Sequence, residues 1–256
     1  MKRTIFAGIL ALTAGLSSLL AQTAAAPPKG PTPKSDGEKE AINTLAKATD
    51  PEAIIKAADN LTSKFADSDF KEWALTVEAK AYKDKGDVIN AQVYAEQVLA
   101  INPKSFTMEM QDAELIETGM KEHDLDRDTK IAKVNKLLTG AIADISAAVK
   151  PTPKISDADW DAGKKFSIAQ AHQDLGMLAQ VQKKWPDAIA EYKLAVEGDP
   201  EQDSYSARLA AAYLGAGKAD DAIATCDKLL AKPNLHPAIK QYVSQIKTAA
   251  TNSLKK

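Results

Sequence analysis

Near the C-terminal end of this 256-residue chain a helical pattern returns after 34 residues: Leu175, Ala188 and Tyr192 reappear as Leu209, Ala222 and Cys226. One helical hairpin cannot bury its apolar side alone, so a fixed period of this size requires hairpins stacked on one another. That points to a binding scaffold and away from a catalyst built around a single cleft. Composition agrees with close helix packing, because aromatics are only 5% while alanine, the best helix former, recurs throughout. With 33 basic and 35 acidic residues the net charge is -2, which supplies no broad field for nucleic acid or anionic lipid.

The unit is clearest from Ala169 to Gln202, where Leu175-Gly176, Ala188, Tyr192, Ala195 and Pro200 mark two helices and a closing proline. From Asp203 to His236 the same places hold Leu209, Tyr213, Gly217, Ala222 and Cys226, with Ala210 replacing the glycine and Pro233 one place early. From Glu72 to Ser105 they hold Ala79, Tyr82, Gly86, Ala91 and Pro103, although Glu78 stands where leucine is expected. In these residues the chain resembles the tetratricopeptide repeat (TPR) family. The resemblance implies an all-α, right-handed α-solenoid of TPR-like hairpins, about eleven helices in all, closed by a C-terminal capping helix. Small residues at Ala79, Gly176 and Ala210 let the two helices of a hairpin approach, and Gly86 and Gly217 permit the turn between them.

Two regions leave the grid. Residues 38–71 read as a degenerate hairpin, with helices near 38–48 and 51–66 and Pro51 at a first helical position. The segment from Phe106 to Val149 is longer than one unit, and its second helix carries Ile131, Val134, Leu138, Ala141, Ile142, Ile145 and Val149 on one face. Pro151-Thr152-Pro153 then breaks the array, and Ser156 or Asp157 is the N-cap of a long helix reaching Lys183. After Pro237 the run Ile239, Tyr242, Val243 and Ile246 predicts the capping helix. The expected organisation is therefore TPR-like hairpins over 37–150 with an elongated third hairpin, a break over 151–156, and repeats plus cap over 157–252.

At the start, Lys2 and Arg3, an apolar stretch from Ile5 to Leu20 and small residues around Ala24–Ala26 form the pattern of a secretory signal over 1–25. The sixteen residues of this stretch rise only ~24 Å as a helix, short of a ~30 Å hydrocarbon core, so no integral membrane span is expected after signal removal. Residues 26–36 follow as a proline-rich linker. Export across the inner membrane to the periplasm is the expected destination.

Sites of chemistry are sparse. Cys226 is the only cysteine, so no internal disulfide exists, and the repeat assigns it to the core. Asp124, Asp126 and Asp128 have calcium-loop spacing, but Thr129 and Asn135 replace the required glycine and glutamate. Asp157, Asp159 and Asp161 fail in the same way, and both clusters suit the positive end of a helix dipole. His123, His172 and His236 are too scattered for zinc. The family position of His172 implies packing, and His236 beside Pro237 suits a helix entrance. Gly215-Ala216-Gly217-Lys218 lacks the earlier glycine and the hydroxyl of a phosphate loop. No catalytic residue, metal or cofactor is assigned.

The family resemblance implies a groove lined by successive first helices. Its lining positions give Trp73, Thr76 and Lys80, then Gln170, Gln173, Met177 and Gln180, then Ser204, Ala207, Arg208 and Ala211, a mixed and weakly basic surface. Trp73, Lys80, Gln170, Gln173, Met177 and Arg208 are the candidate binding residues for a peptide or helix of another protein. Clamping of a C-terminal carboxylate needs lysine, asparagine and arginine at set places, and only Arg208 fits. The expected role is a non-catalytic adaptor of the bacterial cell envelope. The alternatives are a cell-wall enzyme on a helical superstructure and a self-assembling envelope protein, and self-association stays open.

Overall fold

The computed structural model describes residues 30–255, and the signal and the first four residues of the linker read from the sequence, 26–29, lie outside the described residues. Among the described residues there are eleven helices and no strand. They pair as α1 (Asp36–Lys47) with α2 (Pro51–Lys64), α3 (Lys71–Asp84) with α4 (Val88–Ile101), and α5 (Phe106–Gly119) with α6 (Arg127–Ala147). Then come α7 (Asp157–Val181) with α8 (Trp185–Gly198), α9 (Asp203–Gly215) with α10 (Ala219–Leu230), and a last helix α11 (Pro237–Ser253). Each packs chiefly on the helices before and after it, and α11 also covers α9. This is an all-α solenoid.

Short-range chemistry starts these helices. Ser35 Oγ accepts from the Glu38 amide at 3.1 Å, Asp50 Oδ1 from Ala53 at 2.9 Å, and Asp87 Oδ1 from Asn90 at 3.1 Å. Each satisfies one amide that the first turn leaves free. Ser156 does the same for α7 through the Asp159 amide at 3.0 Å, and the His236 imidazole for α11 through Ala238 at 3.3 Å. Within three hairpins one repeat position turns the chain left-handed: Gly86 at φ 76, Gly217 at φ 72 and Lys183 at φ 58. In each case the next amide bonds back five residues, from Asp87 to Tyr82, Lys184 to Ala179 and Lys218 to Tyr213, at 2.9 Å. Lysine bears the Cβ strain that glycine avoids.

The core is a chain of seams between neighbouring helices. Ala79, Ala113 and Ala210 are fully buried, and a Cβ on Gly176 would lie 2.7 Å from Tyr192 ring carbons. Phe106 falls 34 residues after Glu72, so α5 is a first helix in register, with Ala113 as its small residue. That register is hidden in the sequence because 63 residues separate Ala113 from Gly176 where one repeat gives 34. The excess lies in the connection after α5, in the 21-residue α6, in the proline break and, most of all, in the N-terminal extension of the 25-residue α7. Val149 does not join the apolar face of α6, which ends at Ala147 and leaves Val149 85% exposed. At the far end Val243, Ile246 and Ala250 of α11 close over Cys226 and Leu229. Burial raises the Cys226 thiol, so it is a packed core group.

The residue before each small one also differs along the array. It is Leu175 in α7 and Leu209 in α9, but Glu78 in α3 and Asp112 in α5, both with no exposed surface. Glu109, one turn earlier on α5, is 7% exposed and lies against Gly140 of α6. Carboxyl side chains are thus buried in the N-terminal layers and absent from the matching places of the C-terminal ones.

Candidate functional site

The first helices of the hairpins, α3, α5, α7 and α9, build the candidate face, and the structure divides the six candidate residues into two groups. On α3, Trp73 is half-buried, packed edge-on to Phe70 at 6.4 Å and seated against the α1–α2 core. Lys80 is exposed and pairs with Asp84 on its own helix at 2.7 Å. On α7, Gln170 and Gln173 are half-buried, and Gln173 Nε2 donates to Asp174 Oδ1 at 2.6 Å. Met177 packs against the cluster that holds Tyr192 and Leu209. On α9, the Arg208 guanidinium stands beside Asp174 and the buried Tyr192. Gln173, Met177 and Arg208 therefore converge, with Gln170 one turn earlier on α7, while Trp73 and Lys80 belong to an earlier layer.

Between the two groups lies α5, which contributes none of the lining positions expected from the sequence. Its Glu114 and Glu117 fall 34 residues after Lys80 and Lys83, so they stand at the same lining positions. Lys83 pairs with Glu114, joining α3 to α5. Glu117 is partly buried, and burial, then Asp174, then Glu114, pushes its carboxyl up to about 8. Asp174 is pushed up to about 6 by burial and Glu114, with Arg208 working against the rise. Partial burial penalises the charged form, and each carboxylate adds repulsion to the next. The face thus gains the carboxyl side chains Glu114, Glu117 and Asp174, which are not among the lining positions expected from the sequence.

Tyr192 holds this region from behind. It is fully buried, its hydroxyl donates to Gln180 Oε1 at 2.9 Å, and burial pushes the phenol up to about 12. His172, expected to pack, places Nδ1 2.7 Å from Glu191 Oε2, tying α7 to α8. The signal that finds the carboxyls of this face is the 34-residue offset from Lys80 and Lys83, which gives Glu114 and Glu117 directly. Asp174 lies one residue off the expected lining stripe and is visible only once α5 is set beside α7. Among the described residues no helix is long and apolar enough to cross a membrane. No group of three or more His, Cys, Asp or Glu among them is arranged to hold a metal ion.

Solved structures with the same architecture include a thermophilic TPR protein of Thermus thermophilus, at TM-score 0.51 and 16% identity. The match covers 82% of this chain and 98% of that one. MamA of Desulfovibrio magneticus RS-1 matches at TM-score 0.54 and 14% identity over 85% of this chain and 97% of that one. A double mutant of MamA RS-1 matches at 0.55 and 14% over 86% and 96%. No protein-family model and no curated protein matches the sequence. The fold is that of tetratricopeptide-repeat proteins.

Proposed function

We propose that this chain is a non-catalytic protein-binding scaffold of the bacterial cell envelope, which receives a segment of a partner protein along the face built by α3, α5, α7 and α9. A solenoid of this fold presents one side-chain stripe per repeat, so an extended or helical segment can be read by several layers at once. The observation that carries the reading is the convergence of Gln173, Met177 and Arg208 with Glu117 and Asp174: an apolar anchor ringed by half-buried polar groups. Such a mixture is what binding surfaces use, with affinity from few anchors and orientation from charges. The charged start, apolar stretch and small residues of 1–25 support export to the periplasm.

The test is retention of envelope proteins by the tagged chain, compared with R208E and E117K variants. The expected result is one protein retained by the wild type and lost from both variants while their circular dichroism is unchanged. Equal retention by all three would remove the groove from the function. Export is checked separately by the N-terminal residue of the periplasmic protein, expected near Ala24–Ala26.

A second reading has one observation in its favour, the partly buried Glu117 and Asp174 pair with both carboxyls raised, a setting that also suits general acid–base chemistry. Release of soluble fragments from purified cell wall by the wild type, abolished in E117Q, would establish it; inertness of the wild type would remove it.

A further inference from the structure

In the second and third hairpins the side chain before the small residue of the first helix meets groups from the second helix of its own hairpin and from that of the hairpin before it. In the third hairpin this residue is the buried Asp112 of α5. Lys133 of α6 brings its Nζ 3.0 Å from Asp112 Oδ2 and 2.5 Å from Glu96 Oε1 of α4. The Asp112 contact is an ion pair rather than an aligned hydrogen bond, since neither Asp112 oxygen has a hydrogen-bond partner. One ammonium thus serves one buried and one exposed carboxylate from consecutive layers.

In the second hairpin the corresponding places hold Glu78 on α3, Asp59 on α2 and Tyr94 on α4. Glu78 has no exposed surface; neither of its oxygens meets an aligned donor, and the polar groups that approach it are the Asp59 carboxylate and the Tyr94 hydroxyl. Tyr94 stands where Lys133 stands one layer later, and its hydroxyl is directed at Asp59 Oδ1, 3.4 Å away. Its ring is stacked on Tyr82 at 5.2 Å with 13° between the planes. Asp59 is exposed, so its carboxylate meets solvent. The titratable groups acting on Glu78 are Asp59 from α2, Tyr94 from α4 and its own-helix neighbour Tyr82, none of them a cation. Burial, and then Asp59, raises the Glu78 carboxyl to about 8, so it holds a proton at neutral pH.

We propose that Glu78 and Asp59 form a binding site for a primary ammonium group, held between the two carboxylates as Lys133 is held between Asp112 and Glu96. The group enters past Asp59 as the Tyr94 ring turns outward. Binding is linked to a proton: the neutral Glu78 carboxyl gives up its hydrogen to solvent, and the resulting carboxylate pairs with the ammonium. A compact ammonium on a flexible stem suits the niche better than a planar guanidinium fork. The ammonium comes either from a free polyamine or from a lysine side chain of a bound protein.

The test uses spermidine and Nα-acetyl-lysine methylamide as probes, read by the 13C shift of the Glu78 carboxyl and by calorimetry in two buffers of different ionisation enthalpy. The expected result is millimolar binding that releases about one proton per site at neutral pH and strengthens at least about tenfold between roughly pH 6 and pH 8. Binding is expected to vanish in E78L, which installs the residue that α7 and α9 carry at this place, and in the isosteric E78Q. Spermidine alone binding assigns the site to free polyamines; the lysine derivative binding assigns it to a protein side chain. The proposal is overturned if neither probe moves the Glu78 carbon, or if binding persists unchanged in both variants.

Discussion

Replacing Glu78 with leucine is expected to stabilise the protein, and by an amount that grows with pH. Below the ordinary carboxyl value of 4.5 both the folded and the unfolded chain hold the Glu78 proton, so the residue adds no pH dependence there. Between 4.5 and about 8 the folded state keeps a proton that the unfolded state has released, so stability falls as pH rises and levels off above about 8. At about pH 7 the displacement amounts to ~2.5 pH units, or about 3 kcal/mol of lost stability at ~1.36 kcal/mol per unit. Between about pH 5 and pH 8 the wild type therefore loses about 3–4 kcal/mol relative to E78L. Burying the leucine side chain adds about 1.5–3 kcal/mol at every pH. The assay is urea unfolding followed by far-UV circular dichroism, run on both proteins at the two pH values. Glu109, Glu117 and Asp174 also titrate with raised values but are common to both proteins, so the difference isolates Glu78. A stability difference that stays constant with pH, or an E78L protein weaker than the wild type, would refute this account of a buried neutral carboxyl.

Lys133→Met is expected to destabilise the fold by about 3–5 kcal/mol, because it leaves Asp112 buried without its cation, and the double substitution with Asp112→Leu to recover most of that in the same urea assay. Gly176→Ala is expected to lower stability by about 1–3 kcal/mol in calorimetric melts, since its Cβ would meet the buried Tyr192 ring at 2.7 Å. Lys183→Gly should raise stability by about 1 kcal/mol by relieving the left-handed backbone at φ 58; no change in the melting temperature would show that the turn is unstrained. Cys226 should resist a thiol reagent in native buffer and react at once in urea, as rapid native labelling would contradict its burial under α11.

How much of this is legible in the sequence depends on whether a residue acts through its repeat position or through a neighbour in space. Gly86, Gly217, Ala79, Gly176 and Tyr192 declare themselves, because packing and turn geometry restrict the residue types that suit their places in the repeat. The cap at Ser156, the long α7 and the final α11 follow from local hydrogen bonding and apolar spacing for the same reason. The register of α5 is hidden by the length inserted behind it, and with it go Glu114 and Glu117. Lys183 gives no warning, since its left-handed turn is imposed by the same backbone bonds that glycine satisfies after α3 and α9. Glu78 is visibly out of pattern but not visibly partnered, because Asp59 and Tyr94 come from helices on either side. Trp73 has the right position for the groove, yet its indole packs on Phe70 and the α1–α2 seam, a choice set by the atypical first hairpin.

The most direct test of the scaffold reading places a photo-crosslinking amino acid at Met177, with a control at the exposed Gln97 on α4, in the full chain expressed in cells. The expected result is one discrete adduct from Met177 and none from Gln97, with the Met177 adduct lost when Arg208→Glu is added. Equal adducts from both positions, or none from Met177 in cells that carry the intact chain in their envelope, would contradict a partner bound along the face of α5, α7 and α9.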